Sequence, residues 1–198
     1  LALQPDHFSL YALILEPGTE LTRRIKYNEL PSPDDDLTAD MYDLASECLE
    51  SSGFQQYELS SWGKESQHNV QYWRNLPYLG FGAGAHGYAA QTRTMNAMRP
   101  EIYIRQLSQT PTTSILPFPQ TPATIKADDV DVETDMIETI FMGLRLLNEG
   151  LRRAAFRTRY NFDFREHFYA ECDRLQEQGL IMIDSDSIRL TRKARLVS

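Results

Sequence analysis

A nearly continuous apolar run opens the chain, and it limits the fold more than any other feature. His7 to Leu15 (HFSLYALIL) lacks the strict alternation of a half-buried strand. It therefore reads as a strand covered on both faces, as in a parallel sheet. Glu16-Pro17-Gly18-Thr19 closes it as a turn. Residues 21–30 read as a short helix and a loop. Ser32-Pro33-Asp34-Asp35 then starts a helix, with serine at the cap, proline at the first helical position and an acid three residues after the serine. Leu37, Met41, Leu44, Ala45, Cys48 and Leu49 fall on one helical face, and Gly53 stops the helix. Phe54 to Leu59 reads as a second strand. Strand, helix and strand in this order predict a parallel crossover and an α/β fold.

The later chain has a cleaner period. Residues 100–109 read as a short helix, and Thr110 to Thr124 as a Pro/Thr-rich connector. Met136, Ile137, Ile140, Phe141, Leu144 and Leu147 make an amphipathic helix ended at Gly150. Leu151 to Tyr160 reads as a short basic helix. Asp163 caps a third helix with Phe164, Phe168, Cys172 and Leu175 on one face, ended at Gly179. Leu180 to Ile183 and Ser187 to Leu190 are strands around the turn Asp184-Ser185-Asp186. Three helices and a hairpin give a winged-helix-like outline. The expected division is a first domain at 1–110, a linker at 111–126 and a second domain at 127–198.

Composition excludes several classes. The chain has 198 residues, 41% apolar, with a formal net charge of −8. Residues 1–124 carry 8 basic and 14 acidic side chains, and residues 125–198 carry 12 and 14. Neither part has the basic excess of a nucleic-acid binder. No apolar run approaches a membrane span, and no signal peptide is visible. Cys48 and Cys172 are far apart, each within a helical pattern. They fit inert thiols in a reducing cytoplasm rather than a disulfide. Two thiols cannot supply the three or four of an iron–sulfur or zinc site. The chain opens at Leu1 almost directly into a strand and stops just past another, which reads as the C-terminal part of a longer protein.

Residues 60–98 have no period and are rich in Gly, Asn, Gln and aromatics. A long aperiodic stretch of this kind is functional or disordered, and its aromatics argue against disorder. It holds His68-Asn69-Val70-Gln71-Tyr72-Trp73 and, soon after, Tyr78-Leu79-Gly80-Phe81-Gly82-Ala83-Gly84-Ala85-His86-Gly87. A histidine beside an amide, with two large aromatics after it, suits a flat aromatic metal complex: an imidazole for the axial bond and rings for stacking. The same residues also suit an architectural loop, His68 bonded to backbone and Tyr72 and Trp73 pinning it to the core. For an imidazole on iron, Glu65 and Asn69 are the nearest partners for its other nitrogen. Residues 82–87 match G-x-G-x-x-G, but Tyr88-Ala89-Ala90-Gln91 make a poor helix start, and the acid that follows, Glu101, is too close and lies in a different helix. The glycines therefore point to close approach of a ligand, or of the protein's own backbone. His7, in a strand, and His167, in a helix, read as structural or surface residues. Arg152, Arg153, Arg157, Arg159 and Arg165 form a basic patch that the nearby acids balance. No G-x-S-x-G, H-E-x-x-H or P-loop is present, and Glu16, Glu58 and Glu65 form no spaced pair.

Taken in order, Asp6-His7-Phe8-Ser9-Leu10-Tyr11-Ala12-Leu13, Glu16-Pro17-Gly18-Thr19, Tyr57-Glu58-Leu59-Ser60, His68-Asn69-x-x-Tyr72-Trp73 and the 78–87 segment resemble the HemW family of haem chaperones. These are radical-SAM relatives of oxygen-independent coproporphyrinogen III oxidase. Leu190-Thr191-x-Lys193 fits the family's small C-terminal domain. The resemblance implies the last part of a partial (β/α) barrel, followed by a helical domain with a β-hairpin. It implies haem binding, with His68 as candidate iron ligand flanked by Asn69, Tyr72 and Trp73, and with Gly82, Gly84 and His86 nearby. Which histidine meets the iron stays open. Haem would pass to a recipient haem protein, often a respiratory membrane enzyme, with no nucleic-acid partner; a homodimer is open. The H-N-x-x-Y-W element marks the chaperones rather than the oxidases. In the full-length parent a [4Fe–4S] cluster and S-adenosylmethionine are expected, the latter bordered here by Tyr11. The cluster's C-x-x-x-C-x-x-C does not occur in these 198 residues, so radical chemistry is not expected of this chain alone. Two rivals stand beside this reading: a fragment of the oxidase, and a winged-helix nucleic-acid module at the C-terminal end.

Overall fold

The computed structural model describes residues 3–109 and 115–196. Along the chain it forms β1 (His7–Ser9), α1 (Glu20–Lys26), α2 (Asp35–Ser51), β2 (Gln56–Glu58), β3 (Ser61–Gly63), α3 (Gln67–Trp73), β4 (His86–Ala89), β5 (Thr92–Asn96) and α4 (Pro100–Gln109). There follow β6 (Thr124–Asp129), α5 (Val132–Leu144), β7 (Leu151–Arg152), α6 (Arg153–Tyr160), α7 (Phe164–His167), α8 (Tyr169–Glu177), β8 (Ile181–Ile183), β9 (Ser187–Leu190) and α9 (Arg192–Arg195). The chain divides into two compact units, one of residues 1–70 with 144–198 and one of residues 71–143. The α/β class holds, while the strand pairing differs from the sequence expectation.

In the first unit β3 lies between β1 and β2 and is antiparallel to both. The two strands read from sequence do run in the same direction, but they are not neighbours. The tight Leu59-Ser60 link folds Ser61–Gly63 back between them, and a bulge in β2 accommodates it. The apolar run is strand only over His7–Ser9; one further bond, from Leu10 N–H to Ser60 C=O at 2.8 Å, continues the pairing. Tyr11, Leu13 and Ile14 are exposed, because β1 is an edge strand with a partner on one side among the described residues. Trp62 on β3 is fully buried and anchors this layer. The α2 cap is Asp34, whose carboxylate accepts from Leu37 N–H at 2.8 Å. Ser32 and Pro33 precede the helix, outside any regular element.

The rest of the first unit is a sheet of order β7-β9-β8 with α6 to α9 beside it. The segment 151–160 opens as β7 before turning helical, and the third expected helix breaks at Phe168 into α7 and α8. Its core is aromatic: the Phe156 ring meets Tyr160, Phe162 and Phe164 at 4.6, 5.6 and 5.3 Å. Cys172 is buried against it, and burial pushes its thiol pKa up. The hairpin falls where the sequence put it, with Asp184 Oδ1 accepting from Asp186 and Ser187 N–H at 2.9 and 2.8 Å.

The second unit is the antiparallel sheet β4-β5-β6 with α4 and most of α5. Residues 110–114 of the Pro/Thr-rich connector lie outside the described residues, and its last residue, Thr124, opens β6.

Candidate functional site

The aperiodic stretch folds from its N-terminal side. Gly63 has φ +89, and a Cβ there would meet Asp6 C=O at 2.5 Å. The close approach lets Lys64 N–H donate to that same carbonyl at 2.8 Å. The Tyr57 hydroxyl, almost wholly buried, accepts from Ser66 N–H at 3.1 Å and lies 3.1 Å from His7 Nε2. Ser66 caps the next helix: its Oγ accepts from Asn69 N–H at 3.4 Å and its C=O from Val70 N–H at 2.9 Å.

That helix, α3, carries the whole H-N-x-x-Y-W element, and the seam between the two units falls within it, after Val70. Val70 is its buried residue. His68 is exposed, and Asn69, Tyr72 and Trp73 are half-buried. His68 and Tyr72 stand one turn apart, so they share a face of the helix. An exposed imidazole can take a metal of a planar complex, and the phenol ring one turn later offers apolar surface.

In the second unit the Tyr72 ring meets Tyr78 edge-on at 4.6 Å. Tyr78 pairs its backbone with Tyr88, N–H to C=O at 2.7 and 2.8 Å. Burial pushes the Tyr78 phenol pKa up, against the opposing effect of the Arg93 guanidinium. The glycines then divide by role. A Cβ on Gly80 would strike His86 C=O at 2.3 Å, and one on Gly87 would press on Thr94 Oγ1 and Gly80 N. These two glycines are required by the protein's own backbone. Gly82 (φ +108) and Gly84 (φ +69) meet nothing closer than 3.8 Å; they supply left-handed turns. The Asn96 amide donates to Gly80 and Gly82 C=O, both at 3.1 Å, and the Tyr103 hydroxyl accepts from Gly82 N–H at 3.1 Å. His86 is exposed at the start of β4. A strand rather than a helix follows these glycines, which removes the dinucleotide alternative.

Tyr11 sits elsewhere, two residues past β1 on the wall of a concavity of about 680 Å³ lined also by Leu37, Met41, Tyr42 and Trp62. His7 is bound to Tyr57, and the His167 ring lies 4.3 Å from Phe162. On α6, Arg153 and Arg157 are both paired with Asp163, at 3.0 and 2.8 Å, so an acid balances part of the basic patch. Among the described residues no group of three or more His, Cys, Asp or Glu side chains could hold a metal ion. Cys48 is exposed and Cys172 buried, so the residues present do not fit a [4Fe–4S] cluster. Sequence reasoning missed the buried partners of this region, Asn75 and Asp135. They stand sixty residues apart, and a single sequence carries no signal that joins them.

Residues 130–197 match the family described as HemN C-terminal domain. The chain is 33% identical to heme chaperone HemW of Bacillus subtilis over 200 aligned residues, covering 100% of this chain and 50% of that protein. It is 34% identical to heme chaperone HemW of Mycobacterium tuberculosis over 197 residues, 98% of this chain and 45% of the other. The chain thus spans about half the length of these curated relatives. In structure it resembles coproporphyrinogen III oxidase (HemN) of Escherichia coli, a radical SAM enzyme, with a TM-score of 0.67, 19% identity and coverage of 99% of this chain and 46% of that one.

Proposed function

The chain belongs to the HemW-type radical SAM family, and from that membership we propose that it is the haem-binding part of a haem chaperone. One observation carries the reading. The exposed His68 imidazole stands on a short helix capped by Ser66 and fastened through Tyr57, one turn before a half-buried Tyr72. Haem is cargo: the imidazole takes the iron, Tyr72 and Trp73 wall the ring, and Asn69 is a polar neighbour of the ligand. Gly82, Gly84 and His86 of the glycine loop are the further haem-binding residues of this reading. Haem then passes to a recipient haem protein, including one bound to a membrane; no helix among the described residues is itself long and apolar enough to cross one.

The finer architecture is part of the same proposal. Residues 1–110 are the closing part of a partial radical-SAM barrel, 111–126 a linker, and 127–198 a helical domain with a winged-helix-like hairpin. In a parent that holds a [4Fe–4S] cluster and S-adenosylmethionine, the latter lies at the C-terminal ends of the barrel strands. Tyr11, just past the end of β1, borders it there. The chain acts in the cytoplasm, where both cysteines stay as thiols.

The test is a haemin titration of the 198-residue chain, followed by its Soret band, beside His68→Ala and His86→Ala. We expect a saturable shift near one equivalent, lost in His68→Ala and kept in His86→Ala. Loss only in His86→Ala moves the ligand to the glycine loop. A shift unchanged in both variants is non-specific adsorption and removes the reading.

A further inference from the structure

The chain just after Trp73 is folded around polar groups that the haem reading does not use. Asn75 is buried with φ +50. Its side-chain amide donates to Asp135 Oδ1 at 3.1 Å and to Thr139 Oγ1 at 2.9 Å, both on α5. Asp135, also buried, accepts from the Tyr88 hydroxyl at 2.5 Å. Tyr88 is paired through its backbone with Tyr78, and the Tyr78 ring lies edge-on to Tyr72. Asn75 N–H donates to Tyr72 C=O at 2.8 Å. The path leaves Tyr72 through its ring and returns to it through its backbone.

We propose that Asn75 and Asp135 are positioning residues that fix the Tyr72–Trp73 end of the haem-binding helix, a role that rests on the haem reading of that helix. A buried carboxylate and a buried amide are costly unless their bonds are made. Their closed geometry adds direction: Asp135 accepts at once from Tyr88 on β4 and from Asn75, two residues past α3, so both bonds bear on where Tyr72 stands. Asp135 and Thr139 lie within the segment matched by the HemN C-terminal domain. The first helix of that domain is therefore what the end of the motif is fastened to. The network acts on an aromatic wall of the ring rather than on the iron's ligand, so its removal weakens stacking and leaves the axial bond in place.

The experiment compares the chain with Asn75→Gly, Tyr88→Phe and Asp135→Asn in haemin titrations, with thermal unfolding measured on each. Glycine keeps the left-handed backbone at 75 and removes only the amide. Phenylalanine keeps the ring and backbone pairing at 88 and removes only the hydroxyl. Expected is a loss of haemin affinity of up to about 10-fold with a displaced Soret maximum, smaller in Asp135→Asn, where one acceptor oxygen remains. Wild-type affinity and Soret position in Asn75→Gly and Tyr88→Phe, whatever happens to the melting temperature, would overturn the proposal. If Asn75→Gly does not fold, Tyr88→Phe decides alone. His68→Ala separates the two ideas. Loss there with no change in the network variants leaves the haem reading standing and ends the positioning role. No saturable shift in the unmodified chain ends both.

Discussion

A single hydroxyl, that of Tyr57, ties the first sheet to the start of the site. It satisfies Ser66 N–H at the head of α3 and meets His7 on β1. Tyr57→Phe removes the partner of a half-buried backbone donor, which costs about 1 kcal/mol. Urea unfolding should show that loss; an unchanged midpoint would mean that the ring alone sets α3. Asp163 is a second such residue. It is buried, caps α7 through Arg165 N–H at 2.9 Å, and pairs with Arg153 and Arg157. Burial pushes its carboxyl pKa up, but the two guanidiniums and the Arg165 N–H outweigh burial and hold it below the ordinary value. With its folded pKa depressed, the carboxylate contributes stability that is fully present above the unfolded pKa of about 3.9. That stability is lost as pH falls through the lower folded value. Melting temperature followed from pH 6 to pH 2 should drop at the acid end, and less steeply in Asp163→Asn. At neutral pH Asp163→Ala should cost about 3 kcal/mol, since it removes the cap and leaves Arg153 half-buried without its partner.

At the scale of elements, legibility followed local signals. The hairpin at 184–186 was readable because Asp184 makes its own turn bonds. The hairpin of β4 and β5 was not. Its turn residues, Ala90 and Gln91, take φ +48 and +55, where Asn-Gly or Asp-Gly would have announced it. The helix α3 was hidden for another reason. Seven residues with one buried side chain make no apolar stripe, and tertiary bonds rather than propensity hold the helix. Its chemistry, a histidine before two aromatics, was legible; its support by Tyr57, Asn75 and Asp135 was not. The strained turn gives a prediction. Left-handed geometry costs an ordinary residue about 1–2 kcal/mol, so Ala90→Asn with Gln91→Gly should raise stability by about that much. Val130 N–H donates to the Gln91 backbone carbonyl at 2.7 Å, a bond that both substitutions keep. A melting temperature at or below that of the parent would show that the turn is held from outside. Gly80→Ala should act the other way, because its Cβ has nowhere to go but into His86 C=O.

At the scale of the whole chain, the exposed apolar surface of the first unit bears on every binding measurement. Leu10, Tyr11, Leu13, Leu37 and Met41 are all exposed, and all line one concavity of about 680 Å³. Leu44 and Ile14 add to the same exposed total, at 63% and 72%. An apolar hollow of that size is a place for other chains to meet, or for a hydrophobic ring to adsorb without any ligand on iron. The isolated chain should therefore self-associate, with sedimentation coefficients that rise with concentration. Leu37→Glu with Met41→Lys, both on the exposed face of α2, should restore a monomer. A concentration-independent monomer before substitution would refute this. The same double variant sharpens the haemin titration. Adsorption in the hollow predicts excess equivalents that the α2 substitutions remove and His68→Ala leaves in place. Binding at α3 predicts one equivalent that survives those substitutions and disappears with His68. The two contributions sit on different elements, so the double variant and His68→Ala together assign each equivalent of haem to one of them.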